Sequence, residues 1–72
     1  DKAMEDFNRA IDLEPENAGH YNNKGIALAQ GGDLAGAVTL FKKALELSPG
    51  HSDARLNYNR AISLLSKEKP IE

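Results

Sequence analysis

Two asparagines, Asn23 and Asn57, stand at equivalent positions of an internal repeat and carry a side chain that can bind another polypeptide. A carboxamide has N–H donors and a carbonyl acceptor, so it can pair with the N–H and C=O of one extended peptide unit whatever that unit's side chain. Arg60 follows Asn57 by about one helical turn and could add a bidentate contact to a carboxylate. These residue types therefore indicate binding chemistry rather than catalysis.

The side chains that most often perform catalysis are absent or isolated. There is no cysteine, and neither His20 nor His51 has a Cys or His neighbour at metal-ligand spacing. The serines have no histidine in a catalytic motif beside them, and Gly31-Gly32 is not followed by the Lys and Ser/Thr of a phosphate loop. We therefore expect a chain that is not an enzyme, binds no metal and needs no cofactor.

Size and composition restrict the function further. The 72 residues are enough for one domain, whose core would supply only roughly 3–5 kcal/mol. A net charge of −2 does not suggest nucleic-acid binding, and no apolar run is long enough to span a membrane.

The absence of cysteine favours a reducing compartment, so we expect a cytoplasmic protein. Because the chain begins without Met, inside a repeat, we interpret it as an excised fragment of a longer protein.

The internal repeat predicts the elements that hold these side chains. Pro15 and Pro49 are separated by one repeat length, roughly 34 residues, and the residues before each proline match in register. The matched positions are Ala3, Phe7, Ala10 and Leu13 in the first copy, and Ala37, Phe41, Ala44 and Leu47 in the second. Such a period is typical of stacked helical repeats, each of which covers its apolar face with its neighbour.

Apolar spacing predicts four helices, over about residues 1–13, 17–30, 34–47 and 52–67. Asn17 and Asp33 are expected to cap the second and third helices, and a glycine of the Gly31-Gly32 pair is expected to adopt the left-handed conformation that ends a helix. The inner stripe of the fourth helix is expected to contain Ala54, Tyr58, Ala61, Ile62 and Leu65. No strand pattern is present, so the predicted fold class is all-α.

Residues 18–51 resemble one complete tetratricopeptide repeat. The residues that carry the resemblance are Tyr21 at the usual Trp position, Gly25, Leu28 in place of the second aromatic, and Ala37, Phe41, Ala44 and Pro49. Residues 1–17 resemble the second half of a preceding repeat. Residues 52–69 resemble the first helix of a following repeat or a polar capping helix. The resemblance implies an antiparallel helix-turn-helix solenoid, a fragment of a right-handed superhelix, with one module over residues 1–69 and a tail at 70–72.

Two departures from the family pattern favour the capping interpretation of the last helix. Asn59 stands where the repeat glycine would be, and Arg55 stands where the large aromatic would be. Lys24 also replaces the leucine that usually precedes the glycine of the complete repeat. Gly25 itself costs about 1 kcal/mol relative to alanine inside a helix, so we expect a close helix contact there, with Ala37 opposite and Phe41 beside it.

The resemblance also implies a protein-protein interaction module, or scaffold, whose first helices line a concave groove for an extended peptide. Residues expected to line the groove are Asn22, Asn23, Ile26 and Gln30 on the second helix, and Asp53, Leu56, Asn57, Arg60 and Leu64 on the fourth. The paired asparagines would bind the peptide about every third residue. Asp53 and Asn57 occupy positions where a two-carboxylate clamp for chaperone tails needs lysine and arginine, which argues against that ligand.

Two alternative functions remain open from the sequence. Met4, Phe7 and Ile11 lie on a first helix that lacks the helix it would pack on in a full repeat, so a homo-oligomer could form there. The acidic beginning and more basic end of the chain would also favour head-to-tail stacking. Alternatively, the chain could be the substrate-selecting, non-catalytic arm of a larger enzyme such as a glycosyltransferase.

Overall fold

The computed structural model describes residues 2–68, which form four α-helices and no strand. They are α1 (Lys2–Leu13), α2 (Ala18–Gln30), α3 (Leu34–Leu47) and α4 (Ser52–Glu68). Each helix packs against the next in sequence, and α2 and α4 also contact each other. The connections are short, which makes consecutive helices antiparallel neighbours. The predicted all-α helical repeat is thus confirmed, whereas the tail at 70–72 lies outside the described residues.

The predicted helix caps are present. The side chain of Asn17 accepts a hydrogen bond from the backbone N–H of Gly19 at 2.9 Å, and Oδ1 of Asp33 accepts one from Gly36, also at 2.9 Å. Gly32 has a φ of 95°, the left-handed conformation that glycine adopts without a steric penalty. These local interactions explain why α2 and α3 begin where the sequence predicts.

α4 is capped by a residue that the sequence analysis considered only as a metal ligand. His51 stands one repeat length after Asn17, and its Nδ1 accepts a hydrogen bond from the backbone N–H of Ala54 at 3.1 Å. The carbonyl of His51 also accepts from the N–H of Arg55 at 3.0 Å, as expected of the residue that opens a helix. His51 therefore performs in the second repeat the role that Asn17 performs in the first.

We predict that His51→Ala lowers the free energy of unfolding by about 1 kcal/mol, because the first turn of α4 loses a side-chain acceptor. His51→Asn should retain most of the stability, since asparagine already caps α2 at the equivalent position. Urea denaturation followed by circular dichroism measures both. Equal stability of the alanine variant and the parent would show that the histidine bond contributes nothing.

The core consists mainly of alanines around one aromatic ring. One cluster contains Ala18, Ala44 and Ala54, and the other contains Ala37, Phe41 and Ala61. Phe41 is only 2% exposed. By contrast, α1 contributes no buried residue to the core. Small residues on facing helices allow close approach, and the single ring fills the space that remains between α2, α3 and α4.

The contact at Gly25 differs from the prediction. The atoms nearest to Gly25 belong to the ring of Phe41, which the sequence placed beside the contact: a Cβ added to this glycine would be 2.6 Å from Cε1 and 2.9 Å from Cδ1 of the ring. Gly25 therefore makes room for an aromatic ring rather than for a neighbouring backbone.

One residue of the predicted inner stripe of α4 faces solvent. Ile62 is 38% exposed, while its neighbour Ala61 is buried. Adjacent residues on a helix are rotated by about 100°, so both cannot face the same partner. The prediction for Ile62 was wrong because the buried face of α4 is narrow, and it is formed by small residues rather than by every apolar position.

The connection between α1 and α2 is held by two side chains of α2. The hydroxyl of Tyr21 donates a hydrogen bond to the carbonyl of Pro15 at 2.9 Å. Nε2 of His20 lies 2.7 Å from Oε1 of Glu14. The hydrogen bond from His20, followed by its charge, lowers the pKa of Glu14 from the ordinary value of 4.5. These contacts position α2 relative to the end of α1.

Candidate functional site

A cavity of about 240 Å³ lies between α2 and α4, above α3. Nine residues line it: Ile26, Ala29, Gln30, Leu34, Phe41, Asn57, Arg60, Ala61 and Leu64. It is open to solvent, and it lies in the groove formed by the two helices that stand at equivalent places in successive repeats. We call it the α2–α4 groove.

The lining separates into an apolar part and a polar part. Leu34 and Phe41 are buried residues of α3 and form the floor, while Ile26 and Leu64 contribute apolar walls from α2 and α4. The polar lining consists of Gln30, Asn57 and Arg60. Spacings of three and four residues place Asn57, Arg60, Ala61 and Leu64 on one face of α4, which explains how this helix contributes four lining residues.

The α2–α4 groove brings together four of the seven residues predicted to bind a peptide. Ile26 and Gln30 line it from α2, and Asn57 and Arg60 line it from α4. Leu64, which the sequence analysis also placed on the groove-facing stripe, lines it as well. The structure therefore supports a common location for these side chains, while their part in binding remains a prediction.

The other predicted residues lie elsewhere. Asn23 and Leu56 are exposed but do not line the groove, and Leu56 has 55% of its surface exposed. Each directly adjoins a residue that faces inward, so the helical rotation turns it away from the cavity. Asp53 is exposed and also lies outside the lining. The leucine of α4 that lines the cavity together with Ile26 is Leu64.

Asn22 has a structural contact that the sequence analysis did not anticipate. It is 5% exposed, and its Oδ1 accepts a hydrogen bond from Nδ2 of Asn57 at 3.1 Å. The sequence analysis placed Asn22 and Asn57 among the groove residues, but it did not predict that they bond to each other. Only one of the two N–H donors of Asn57 is used, so its second N–H and its carbonyl oxygen remain for a ligand. Asn57 thus links α2 to α4 and lines the groove at the same time.

We predict that Asn57→Ala lowers the free energy of unfolding by about 1–3 kcal/mol, because it leaves the buried carbonyl of Asn22 without a donor. Asn23→Ala is the matched control, since Asn23 is exposed and should change stability by less than about 0.5 kcal/mol. Urea denaturation of the two variants and the parent measures the difference. Similar midpoints for both variants would exclude a structural role for the Asn22–Asn57 bond.

Four lining residues were not predicted as groove residues: Ala29, Leu34, Phe41 and Ala61. The sequence placed Phe41 and Ala61 on the inner faces of their helices, and both are buried. Leu34, Phe41 and Ala61 are only 8%, 2% and 3% exposed, so they close the bottom of the groove while remaining core residues, a position that helical periodicity does not report.

Metal ligands and membrane-spanning helices are the other features that could define a site. Within residues 2–68, no group of three or more His, Cys, Asp or Glu side chains is arranged to hold a metal ion. None of the helices described is both long enough and apolar enough to cross a membrane.

Comparison with known proteins identifies similar sequences. Residues 1–52 match a family model described as Tetratricopeptide repeat. The chain is 46% identical over 52 residues to Tetratricopeptide repeat protein 36 of Homo sapiens, which covers 72% of this chain and 28% of that protein. It is 48% identical over 48 residues to the Bos taurus protein of the same name, covering 67% and 26% of the two chains.

A more distant similarity extends to archaea. The chain is 33% identical over 57 residues to an uncharacterized protein of Methanocaldococcus jannaschii, which covers 79% of this chain and 66% of that protein. The chain spans about a quarter of the length of the mammalian relatives it matches, with 28% and 26% of their residues aligned. No solved structure matches the sequence significantly.

Proposed function

Because the chain belongs to the tetratricopeptide repeat family, we propose that it is a protein-protein interaction module that binds an extended segment of a partner in the α2–α4 groove. The main support for this proposal is the groove itself, which has an apolar floor and is bordered by the polar side chains of Gln30, Asn57 and Arg60. Such a combination is typical of binding sites, because apolar area supplies affinity and a few polar groups fix orientation. The proposed activity is non-catalytic.

The polar lining suggests how the partner's main chain is held. Asn57 has one N–H and a carbonyl available beyond its bond to Asn22, and Gln30 presents a second carboxamide from α2. Carboxamides on opposite sides of the groove can each pair with the N–H and C=O of an extended peptide. The side chain between these contacts would enter the cavity above Phe41. Backbone pairing would make binding tolerant of sequence, and the cavity would add selectivity.

We further propose that residues 1–69 are one module, in which residues 1–17 complete a preceding repeat, 18–51 form a repeat and 52–69 form the closing helix. The support for a closing helix comes from Gly25. The ring of Phe41 occupies the space where a Cβ of Gly25 would lie. The equivalent position on α4 is Asn59, an exposed residue with a full side chain. If a further helix packed on α4 as α3 packs on α2, its phenylalanine would meet the Asn59 side chain, so the two helices could not approach each other as closely as α2 and α3 do.

Self-association is a second candidate, and one observation favours it. No residue of α1 is buried, Phe7 is only half-buried, and Leu13 is 75% exposed. An apolar face of this kind tends to find a partner. Head-to-tail stacking of α1 on α4 of a second copy is disfavoured, however, because Phe7 would meet Asn59 instead of a glycine. A homo-oligomer would therefore need a different pairing of α1, and sedimentation velocity at several concentrations would detect it.

The peptide-binding proposal can be tested by selecting binders from a random dodecapeptide library displayed on phage. A selected peptide, labelled with fluorescein, is then titrated with the parent chain and two variants. Leu64→Ser removes an apolar wall of the groove, whereas Ile62→Ser removes a similarly exposed aliphatic side chain from another face of the same helix. We expect at least about tenfold weaker binding for Leu64→Ser and little change for Ile62→Ser. Failure to enrich any peptide, or equal losses in both variants, would contradict the proposal.

A further inference from the structure

The α2–α4 groove continues beyond the cavity toward the end of α4. A second depression is lined by Ala29, Gly32, Leu34, Leu64 and Lys67, three of which also line the first cavity. The shared residues make the two depressions one continuous groove, with Leu64 between them. A ligand that lies along this groove would therefore meet Arg60, then Leu64, then Lys67 on α4.

The charge of the groove is opposite to that of the chain. Arg60 and Lys67 line it, and no carboxylate does, although the net charge of the chain is −2. Asp33 is adjacent in sequence to two lining residues, but its carboxylate accepts the N–H of Gly36 at the start of α3. The step from Arg60 to Lys67 corresponds to about 10 Å along the helix axis. The groove thus presents two positive charges, one on each side of an apolar wall.

The size of the cavity restricts what can fill it. A volume of about 240 Å³ exceeds the roughly 150 Å³ of an engineered apolar cavity that binds benzene. It is therefore large enough for one leucine or phenylalanine side chain, and its floor of Leu34 and Phe41 offers no hydrogen bond to a polar group. The main chain and the neighbouring side chains of a ligand would remain at the rim, where the two cations are.

We propose that the groove selects an extended protein segment with a leucine- or phenylalanine-sized side chain between two acidic residues. This inference rests on the proposed peptide-binding function. A segment in the polyproline-II conformation has three residues per turn and rises about 3.1 Å per residue, so carboxylates three residues apart lie on one side of it and match the spacing of Arg60 and Lys67. The apolar side chain enters the cavity above Phe41. The carboxylates contact Arg60 and Lys67, with a bidentate geometry available to the guanidinium.

The test uses fluorescence anisotropy with a defined probe, the fluorescein-labelled peptide Gly-Ser-Glu-Leu-Ser-Glu-Ser-Gly. Two control peptides replace both Glu by Gln, or Leu by Ser. At 0.05 M salt we expect binding of the Gln peptide to weaken about fivefold to tenfold, and binding of the Ser peptide by at least about tenfold. Raising the salt to 0.5 M should weaken the Glu peptide but not the Gln peptide, because ions screen exposed charges.

Variants of the chain assign the effect to the groove. Arg60→Glu should weaken binding of the Glu peptide about fivefold or more, whereas Arg55→Glu, which changes another exposed arginine of α4 outside the lining, should have little effect. The double variant Arg60→Glu with Lys67→Glu should instead prefer a probe in which both Glu are Lys. Circular dichroism confirms that each variant keeps its helices.

The outcomes separate this inference from the proposed function. Equal binding of the Glu and Gln peptides, or equal effects of Arg60→Glu and Arg55→Glu, would overturn the acidic specificity. Phage-selected peptides that depend on Leu64 but contain no acidic residue would support the groove and refute only the acidic ligand. No binding of any peptide would contradict both. A reversed preference of the double variant would establish the two cations as the specificity residues.

Discussion

Phe41→Ala is expected to lower the free energy of unfolding by about 3–5 kcal/mol and to leave the chain largely unfolded at 25 °C. The ring is 2% exposed, contacts Gly25 and forms part of the groove floor, so its removal empties the space between three helices. A core of this size supplies only roughly 3–5 kcal/mol in total, and the chain has no cysteine to form a disulfide that would compensate. Far-ultraviolet circular dichroism during heating measures the loss.

Phe7→Ala provides a control inside the same chain. Phe7 occupies the equivalent position in the preceding repeat, but it is only half-buried because α1 packs on a single helix. We expect its truncation to cost about 1–2 kcal/mol, less than that of Phe41. A Phe41→Ala melting curve like that of the parent, or a larger effect for Phe7→Ala, would contradict the assignment of Phe41 as the central core residue.

Gly25→Leu is expected to destabilise the chain by about 3 kcal/mol, at the upper end of the usual range for overpacking. Even a Cβ at this position would be 2.6 Å from the Phe41 ring, closer than side-chain carbons approach in proteins. The leucine would therefore force α2 and α3 apart or drive the ring from its position. Chemical denaturation gives the change in unfolding free energy, and binding of a groove peptide reports the displacement of the floor.

Two further variants separate the steric effect from the general effect of replacing a glycine. Gly50→Ala is the matched control, since nothing lies within 4 Å of the added Cβ and its φ is not positive. It should be neutral or stabilising by less than about 1 kcal/mol. Gly25→Ala combined with Phe41→Leu should be more stable than the sum of the single effects predicts, because the smaller side chain leaves room for the Cβ. Strict additivity would show that Gly25 and Phe41 do not contact each other.

The predicted binding residues show which features of a functional site can be inferred from the repeat period alone. The repeat places Asn23 and Asn57 at equivalent positions, and this equivalence suggested a pair of asparagines facing one ligand. In the structure, Asn57 bonds to Asn22, which is buried, while Asn23 is exposed. Equivalent positions in successive repeats have different surroundings, because α2 is covered on both sides and α4 is not. Sequence register therefore predicted the helices that form the site but not the partner of each side chain.

The helices, their caps at Asn17 and Asp33, the break at Gly32 and the burial of Phe41 could all be predicted from the order of residues along the chain. These features depend on local backbone preferences and on the repeat period, both of which can be read along the chain. Helix packing was needed to show that the Phe41 ring is the nearest neighbour of Gly25, and that Arg60, Leu64 and Lys67 border one groove. The physical reason is that helical periodicity fixes the face on which a residue lies. The contact that the residue makes depends on side-chain direction and on the gap between helices distant in sequence.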